Sequence, residues 1–541
     1  MPQSQQPVFS VQDLRVTIGA KEIVHGVSFD VFRGHTVGIV GESGSGKSVS
    51  VLSATRLLDL PHQRVTGSVH LSGNDLLTAS KHELRRVHGR RVGFVFQDPS
   101  TSLNPLLTLE RQLTEGPKQH LKLSHAAARE RAIELLEAVG LPDPERRLSS
   151  YPHQLSGGQR QRVMIAVALA CDPDVLIADE PTTALDVTTQ AQIVELVQRL
   201  QAERGMGVVW ISHDLGLIGQ VADDVTVLLS GEAVEQKPVV EIFDAPEHAY
   251  TKRLLASRPS LERPGPDPAP VSDEPLLTVN DLSVSFQVPT PTGPSWVHAV
   301  TDVSFDMYRG ETLGLVGESG SGKSTIAGAL TGQVKPQQGE LCLGGEDLLA
   351  ARGATRKALR RKLAMVFQDP FSALNPRMRV RDAIAEPIIV HRLASSARER
   401  DQRVIELLEQ VNVTAEFADR YPHEMSGGQR QRVCIARALA CEPEVLILDE
   451  STASLDVSIQ AEVMTLLKRL QIELGLTYLF IAHDLAVVHE MSHRVMVMKS
   501  GEIVESGDSR DLYQDPKQAY TKSLLDAIPP EKPVAARAAI H

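Results

Sequence analysis

Aromatic side chains make up only 4% of this chain, so its cores must be built mainly from aliphatic residues. Cysteine is scarce as well: Cys171, Cys342, Cys434 and Cys441, with no CxxC pair. That spacing offers neither a disulfide framework nor a zinc ribbon, and all four read as small buried hydrophobes. Basic charge is not in excess. The net charge is −12, so composition gives no global footprint for nucleic acid. No apolar run reaches the 18 residues of a membrane-crossing helix. The opening MPQSQQPVFS has no basic segment ahead of an apolar one, so it does not read as a secretory signal. What remains is ordinary globular composition, 42% hydrophobic and 23% charged. The expectation is a cytoplasmic chain that reaches a membrane only through other subunits.

The chain carries one octamer twice. Residues Gly41 to Ser48 read GESGSGKS, and so do Gly317 to Ser324. Apolar runs precede them, His35 to Val40 and Thr312 to Val316. Helix-like stretches follow, Val49 to Leu58 and Thr325 to Leu330. Strand, glycine-rich loop and helix is the setting of a phosphate-binding loop. Gly41, Gly44, Gly46, Gly317, Gly320 and Gly322 let backbone amides crowd around phosphate oxygens, beside the positive end of a helix dipole. Ser43 and Ser319 lie within the loops. Lys47 and Lys323 suit the β- and γ-phosphates, and Ser48 and Ser324 suit Mg²⁺.

The 541 residues thus divide into two similar halves. The expected boundaries are a first nucleotide-binding domain over 6–256, a linker over 257–275, a second domain over 276–528 and a disordered tail over 529–541. The linker holds six prolines and reads as a semi-rigid spacer. Each half alternates short apolar runs with helical stretches, such as VLIADE (175–180) and GVVWISHD (207–214) around Thr188 to Gln201. The fold expected is α/β: tandem P-loop domains, each with a mostly parallel sheet and a helical subdomain.

Further groups recur after each loop. Ser156, Gly157, Gly158 and Gln159 open a helical stretch, as do Ser426, Gly427, Gly428 and Gln429. The serine suits a helix cap, and the glycines suit close approach of an anion. About 20 residues on, a strand ends in two carboxylates. Asp179 and Asp449 suit Mg²⁺, while Glu180 and Glu450 suit polarising an attacking water. Asp186 and Asp456 follow. His213 and His483 end the next strand in each half and suit a γ-phosphate contact.

Together these residues resemble the ATP-binding cassette (ABC) family over nearly the whole chain, twice. The resemblance implies that SGGQ is the family signature, that Gln97 and Gln368 bind both nucleotide and metal, and that the histidines are switch residues. It implies ATP and Mg²⁺ as cofactors and head-to-tail pairing, so that the ATP on each P-loop meets the other half's signature. It also implies an aromatic platform for adenine. The second half offers Phe286, with Trp296 competing, whereas the first half has Ile18 in the corresponding place. Three departures stand out: Ser451 against Pro181, Met425 for the usual signature leucine, and Val49 after the first loop. All spare the reacting groups.

The segments QDPSTSLNP (97–105), QDPFSALNP (368–376), PEHAYTKRLL (246–255) and PKQAYTKSLL (516–525) are similar to those of ATPase subunits of peptide, oligopeptide and nickel importers. Among fused subunits the wording is most similar to the microcin C-type peptide importers, with the glutathione importers close behind. That branch implies two transmembrane permease subunits, an extracytoplasmic solute-binding protein, no nucleic acid, and a peripheral place on the cytoplasmic face of the bacterial inner membrane. The regions after the C-terminal segments lack cysteine, so no iron–sulfur cluster is expected. The rival class is a soluble tandem ABC protein acting on ribosomes. It carries a long charged helical linker where this chain has a short proline-rich one.

Overall fold

The computed structural model describes residues 6–183, 185–267, 274–290, 293–453 and 455–533. Each half holds a six-stranded sheet. In the first the order is Glu232–Pro238, Asp224–Leu229, Thr36–Val40, Gly207–Ser212, Val175–Asp179, Val92–Val95. All neighbours are parallel except Glu232–Pro238 against Asp224–Leu229. The second half repeats this order around Thr312–Val316.

Buried strands flanked on both faces read as unbroken apolar runs, as TVGIV, VLIAD and GVVWIS do. Their side chains part by alternation. Val175, Ile177, Val209 and Ile211 join one core; Leu176, Ala178, Val208 and Trp210 join the other. The first core is closed by a four-stranded antiparallel sheet, in which Phe9–Ile18 lies between Lys21–Val31 and Gln63–Leu71. The second is closed by helices including Leu109–His120, His125–Ala138 and Gly157–Ala168. The parallel register sets Val40 beside Ser212 and Asp179 beside Ile211. The P-loop, the carboxylates and His213 therefore leave the sheet at one edge, the carboxyl ends of its strands, where open α/β sheets bind ligands.

Several expectations change. The helix after the first P-loop is Lys47–Ala54 rather than a run to Leu58, because Arg56 turns into the left-handed region (φ 53). Cys171 and Cys434 are buried, but Cys342 and Cys441 are only partly so. The linker, expected as a semi-rigid spacer, is docked on the second half over its first part. The Ser260 amide donates to Glu490 (3.0 Å), Arg263 pairs with Glu490 (3.1 Å), and His489 Nε2 meets the Arg263 carbonyl (3.1 Å). Residues 529–533 of the expected tail are likewise held. Arg258 donates to the Glu531 carbonyl (3.1 Å), and Ser260 donates to its carboxylate. Residues 268–273 of the linker and 534–541 of the tail lie outside the described residues.

The halves also cross. Helix Ala249–Ala256 lies against Val457–Leu474 of the second half, and helix Ala519–Asp526 lies against Val187–Arg204 of the first.

Candidate functional site

Each P-loop wraps its lysine. Gly46 (φ 96) and Gly322 (φ 111) take a left-handed turn that hands the loop into its helix. A Cβ at Gly41 would sit 2.3 Å from the Leu228 carbonyl, and one at Gly317 would sit 2.2 Å from that of Met498. No larger residue fits there. Lys47 Nζ donates to the carbonyls of Gly41 (2.7 Å) and Glu42 (3.0 Å); Lys323 Nζ donates to those of Gly317 (2.7 Å) and Glu318 (2.8 Å). Burial pulls both ammonium groups down from their ordinary value, while nearby carboxylates oppose the shift.

The strand-end carboxylates close on these loops. Ser48 Oγ donates to Asp179 (2.9 Å) and Ser324 Oγ to Asp449 (3.1 Å). Burial pushes the Asp179 carboxyl up to about 6 and raises that of Asp449, against the serine bonds. This is a hard-oxygen set short of positive charge, and it fits Mg²⁺. Gln97 donates to Glu180 (3.0 Å) and Gln368 donates to Glu450 (2.6 Å), so both glutamines rest on the carboxylates. His213 Nδ1 stands 3.2 Å from Glu180, and His483 Nδ1 stands 3.8 Å from Glu450. Lys47 and Lys323 lie 3.8 and 4.0 Å from the same glutamates. Burial alone would raise Glu180; His213 first, then Lys47 and Thr183, hold it down at about 2. Glu450 is lowered against burial by His483 and Lys323. His213 is raised by Glu180, although burial opposes the shift. Each site thus gathers an ionised carboxylate, an imidazole and an amide at one point beside the lysine.

Ser156 and Ser426 cap the helices Gly157–Ala168 and Gly427–Leu439, each accepting from the glutamine amide three residues on and completing a capping box. The two glycines differ in use. A Cβ at Gly427 would meet open space, and one at Gly157 would meet only Leu185 Cδ2 at 4.0 Å. A Cβ at Gly158 would come within 2.6 Å of Thr189 Cγ2, and one at Gly428 within 2.5 Å of Ile459 Cγ2. The second glycine therefore answers to helix packing as well. Ile18 packs against its core, whereas Phe286 and Trp296 are exposed on paired strands. Met425 is buried. Ser451 is buried with its hydroxyl unpartnered among the described residues, where Pro181 has none to satisfy.

The motif reading missed four contacts. Thr183 Oγ1 donates to Glu180 (2.9 Å), and Ala453 has no counterpart to that bond. Ser458 Oγ of the second half donates to Glu42 of the first P-loop (2.5 Å). Tyr250 Oη accepts from the Glu42 amide (2.9 Å), and Tyr520 Oη accepts from that of Glu318 (3.2 Å). The only signal in the sequence was the same tyrosine recurring in both C-terminal segments. Charges also cross between the halves, Asp456 acting on Lys47 and Asp186 on Lys323.

Two parallel-sheet units with these loops define a tandem P-loop ATPase. The ABC transporter family model matches residues 24–183 and 300–453, and the chain belongs to that family. A second model, "Oligopeptide/dipeptide transporter, C-terminal region", matches residues 234–278 and 504–540. The glutathione import ATP-binding protein GsiA of Escherichia coli O157:H7 is 46% identical over 544 residues, covering 94% of this chain and 87% of that protein. That of Pectobacterium atrosepticum is 44% identical over 550 residues, covering 95% and 87%. A dimeric ATP-binding cassette in a post-hydrolysis state with ADP and Pi matches at 30% identity and TM-score 0.40, covering 43% of this chain and 98% of that one.

Proposed function

We propose that this ATPase energises a binding-protein-dependent importer of small peptides, forming two composite ATP sites within one chain. The observation that carries the reading is the pairing of two complete carboxylate–histidine–lysine sets with two C-terminal segments of the oligopeptide/dipeptide transporter type. Glutathione, itself a small peptide, is the specific solute favoured by the relatives that import it. The nickel alternative has no such support.

In this reading Lys47 and Lys323 hold the β- and γ-phosphates. Gly41, Ser43, Gly44 and Gly46, with Gly317, Ser319, Gly320 and Gly322, line the loops. Ser48, Asp179 and Gln97, with Ser324, Asp449 and Gln368, would hold Mg²⁺, which neutralises charge on the phosphates when bound. Glu180 and Glu450 accept the proton of the attacking water, and His213 and His483 fix them by charge and position. The crossed contacts Ser458–Glu42 and Asp456–Lys47 favour head-to-tail sharing. Ser156 to Gln159 would then serve the second P-loop, and Ser426 to Gln429 the first. Phe286 is the candidate adenine platform. The domain division proposed stays at 6–256 and 276–528, with a linker over 257–275 whose first part is docked through Ser260 and Arg263.

The proposed partners are two permease subunits and an extracytoplasmic binding protein, with the chain peripheral on the cytoplasmic face. Among the described residues no helix is long and apolar enough to cross a membrane. Beside Gln368 lies a groove of about 330 Å³ lined by Phe367, Pro387, Val390 and Arg437. An apolar recess next to the glutamine suits a permease segment. The test is uptake of labelled glutathione, dipeptides and tripeptides in a strain lacking the gene, with and without complementation. Loss of peptide uptake restored by the gene is expected. Unchanged uptake of every peptide, with ribosome co-sedimentation instead, overturns the reading.

A further inference from the structure

The C-terminal segment of each half is built twice to the same plan. A carboxylate on the last strand catches the start of the helix. Glu235 accepts from the amides of Glu247 (2.8 Å) and His248 (3.0 Å); Glu505 accepts from those of Lys517 (2.7 Å) and Gln518 (3.1 Å). The helix then presents a tyrosine to the P-loop of its own half. Tyr250 Oη accepts from the Glu42 amide and Tyr520 Oη from the Glu318 amide. A cation lies over each ring: Arg253 at 5.3 Å from the Tyr250 centroid, and Lys499 at 4.5 Å from that of Tyr520. The same helix lies against the opposite half, Ala249–Ala256 on Val457–Leu474 and Ala519–Asp526 on Val187–Arg204.

The tyrosine bonds the amide of the second residue of each loop, and the carbonyl of that same peptide unit, Gly41 or Gly317, accepts from the P-loop lysine. One peptide unit is thus held from outside by the phenol and turned inward on the lysine. A phenol that fixes this unit sets where the lysine sits before nucleotide arrives. It also ties that position to a helix packed on the other half. We propose that Tyr250 and Tyr520 are positioning residues for the two P-loops, through which each C-terminal segment sets the nucleotide affinity of its own half. The proposal rests on the reading that Lys47 and Lys323 hold ATP.

The experiment uses the full chain. Lys323→Ala confines tight binding to the first loop, and Lys47→Ala confines it to the second. Fluorescent ATP with Mg²⁺ is titrated into each, with and without Tyr250→Phe, a change that removes only the hydroxyl. In the Lys323→Ala chain, Tyr250→Phe should raise Kd about three- to tenfold, the loss of one hydrogen bond to a loop amide. In the Lys47→Ala chain, the same change should leave Kd within twofold. Tyr520→Phe should show the opposite pattern. With both lysines intact, the double Tyr→Phe chain should raise KM for ATP more than it lowers kcat. Unchanged Kd at the tyrosine's own loop overturns the proposal. Equal losses at both loops also overturn it, because they mark general loosening. If the Lys323→Ala chain with Tyr250 intact binds no nucleotide, the underlying reading of the first loop falls, and the proposal falls with it.

Discussion

Glu180 and Glu450 stand in left-handed backbone, φ 47 and 44, at the ends of their strands. A non-glycine residue there costs about 1–3 kcal/mol, and the fold retains it at the same point in both halves. The amides of both residues are fixed, donating to the carbonyls of Ile211 and Ile481 at 2.9 Å. Strain is therefore held on the two groups that the glutamine, histidine and lysine converge upon. Replacing the carboxylate with an amide keeps the shape and removes the base. Glu180→Gln with Glu450→Gln should keep ATP binding and cut turnover by about 10²- to 10⁴-fold. Steady-state phosphate release and nucleotide retention check this; near-normal turnover would remove both glutamates from the chemistry.

At the scale of elements, the C-terminal helix of the first half depends on a buried acid. Burial alone would raise Glu235. The Thr251 hydroxyl, the amides of Glu247 and His248, and Lys237 hold it down at about 2. A carboxyl lowered in the folded state contributes stability above its ordinary range near pH 4.5, and loses it as pH falls toward 2. Glu235→Gln should cost about 1–3 kcal/mol at pH 7. It should also flatten the decline in melting temperature between about pH 5 and 3. Thermal melts of both proteins across that range test it, and parallel curves would show that Glu235 carries none of the acid sensitivity. This acid was silent in the sequence, because Glu235 sits among other polar residues in EAVEQKP and nothing local marks it as buried. The sheet strands were legible for the opposite reason. A run such as TLGLV is apolar throughout because both faces are covered, and its expected limits, Thr312 to Val316, match the strand. The candidate site was legible because P-loop, carboxylates and histidine each end such a strand. The docked linker was not, since Pro-rich composition describes chain stiffness and says nothing of Glu490 waiting 230 residues beyond Ser260.

Across the whole molecule, contacts between the halves escape local pattern altogether, and they break the symmetry that the repeated octamer suggests. Ser458 of the second half donates to Glu42, 416 residues away, and Arg253 stands 3.7 Å from the same carboxylate. At the other site the equivalent residues are Thr188, Glu318 and Ser523. Thr188 Oγ1 is buried without a hydrogen-bond partner among the described residues, and Ser523 turns to the Tyr520 carbonyl (2.7 Å). Asp186 caps its own helix through the Thr189 amide (2.9 Å), whereas Asp456 makes no such cap. The first P-loop is thus tied across the halves by a bond the second lacks. Ser458→Ala should weaken closure over the first site by about 1 kcal/mol, roughly a fivefold fall in the closing equilibrium constant. Thr188→Ala removes no bond and should change closure over the second site by less than about half that energy. Distance measurements between spin labels on the two halves, titrated with ATP in a Glu180→Gln, Glu450→Gln background, separate the cases. Equal effects of the two substitutions would show that the sites close as equals and that the Ser458–Glu42 bond carries no asymmetry.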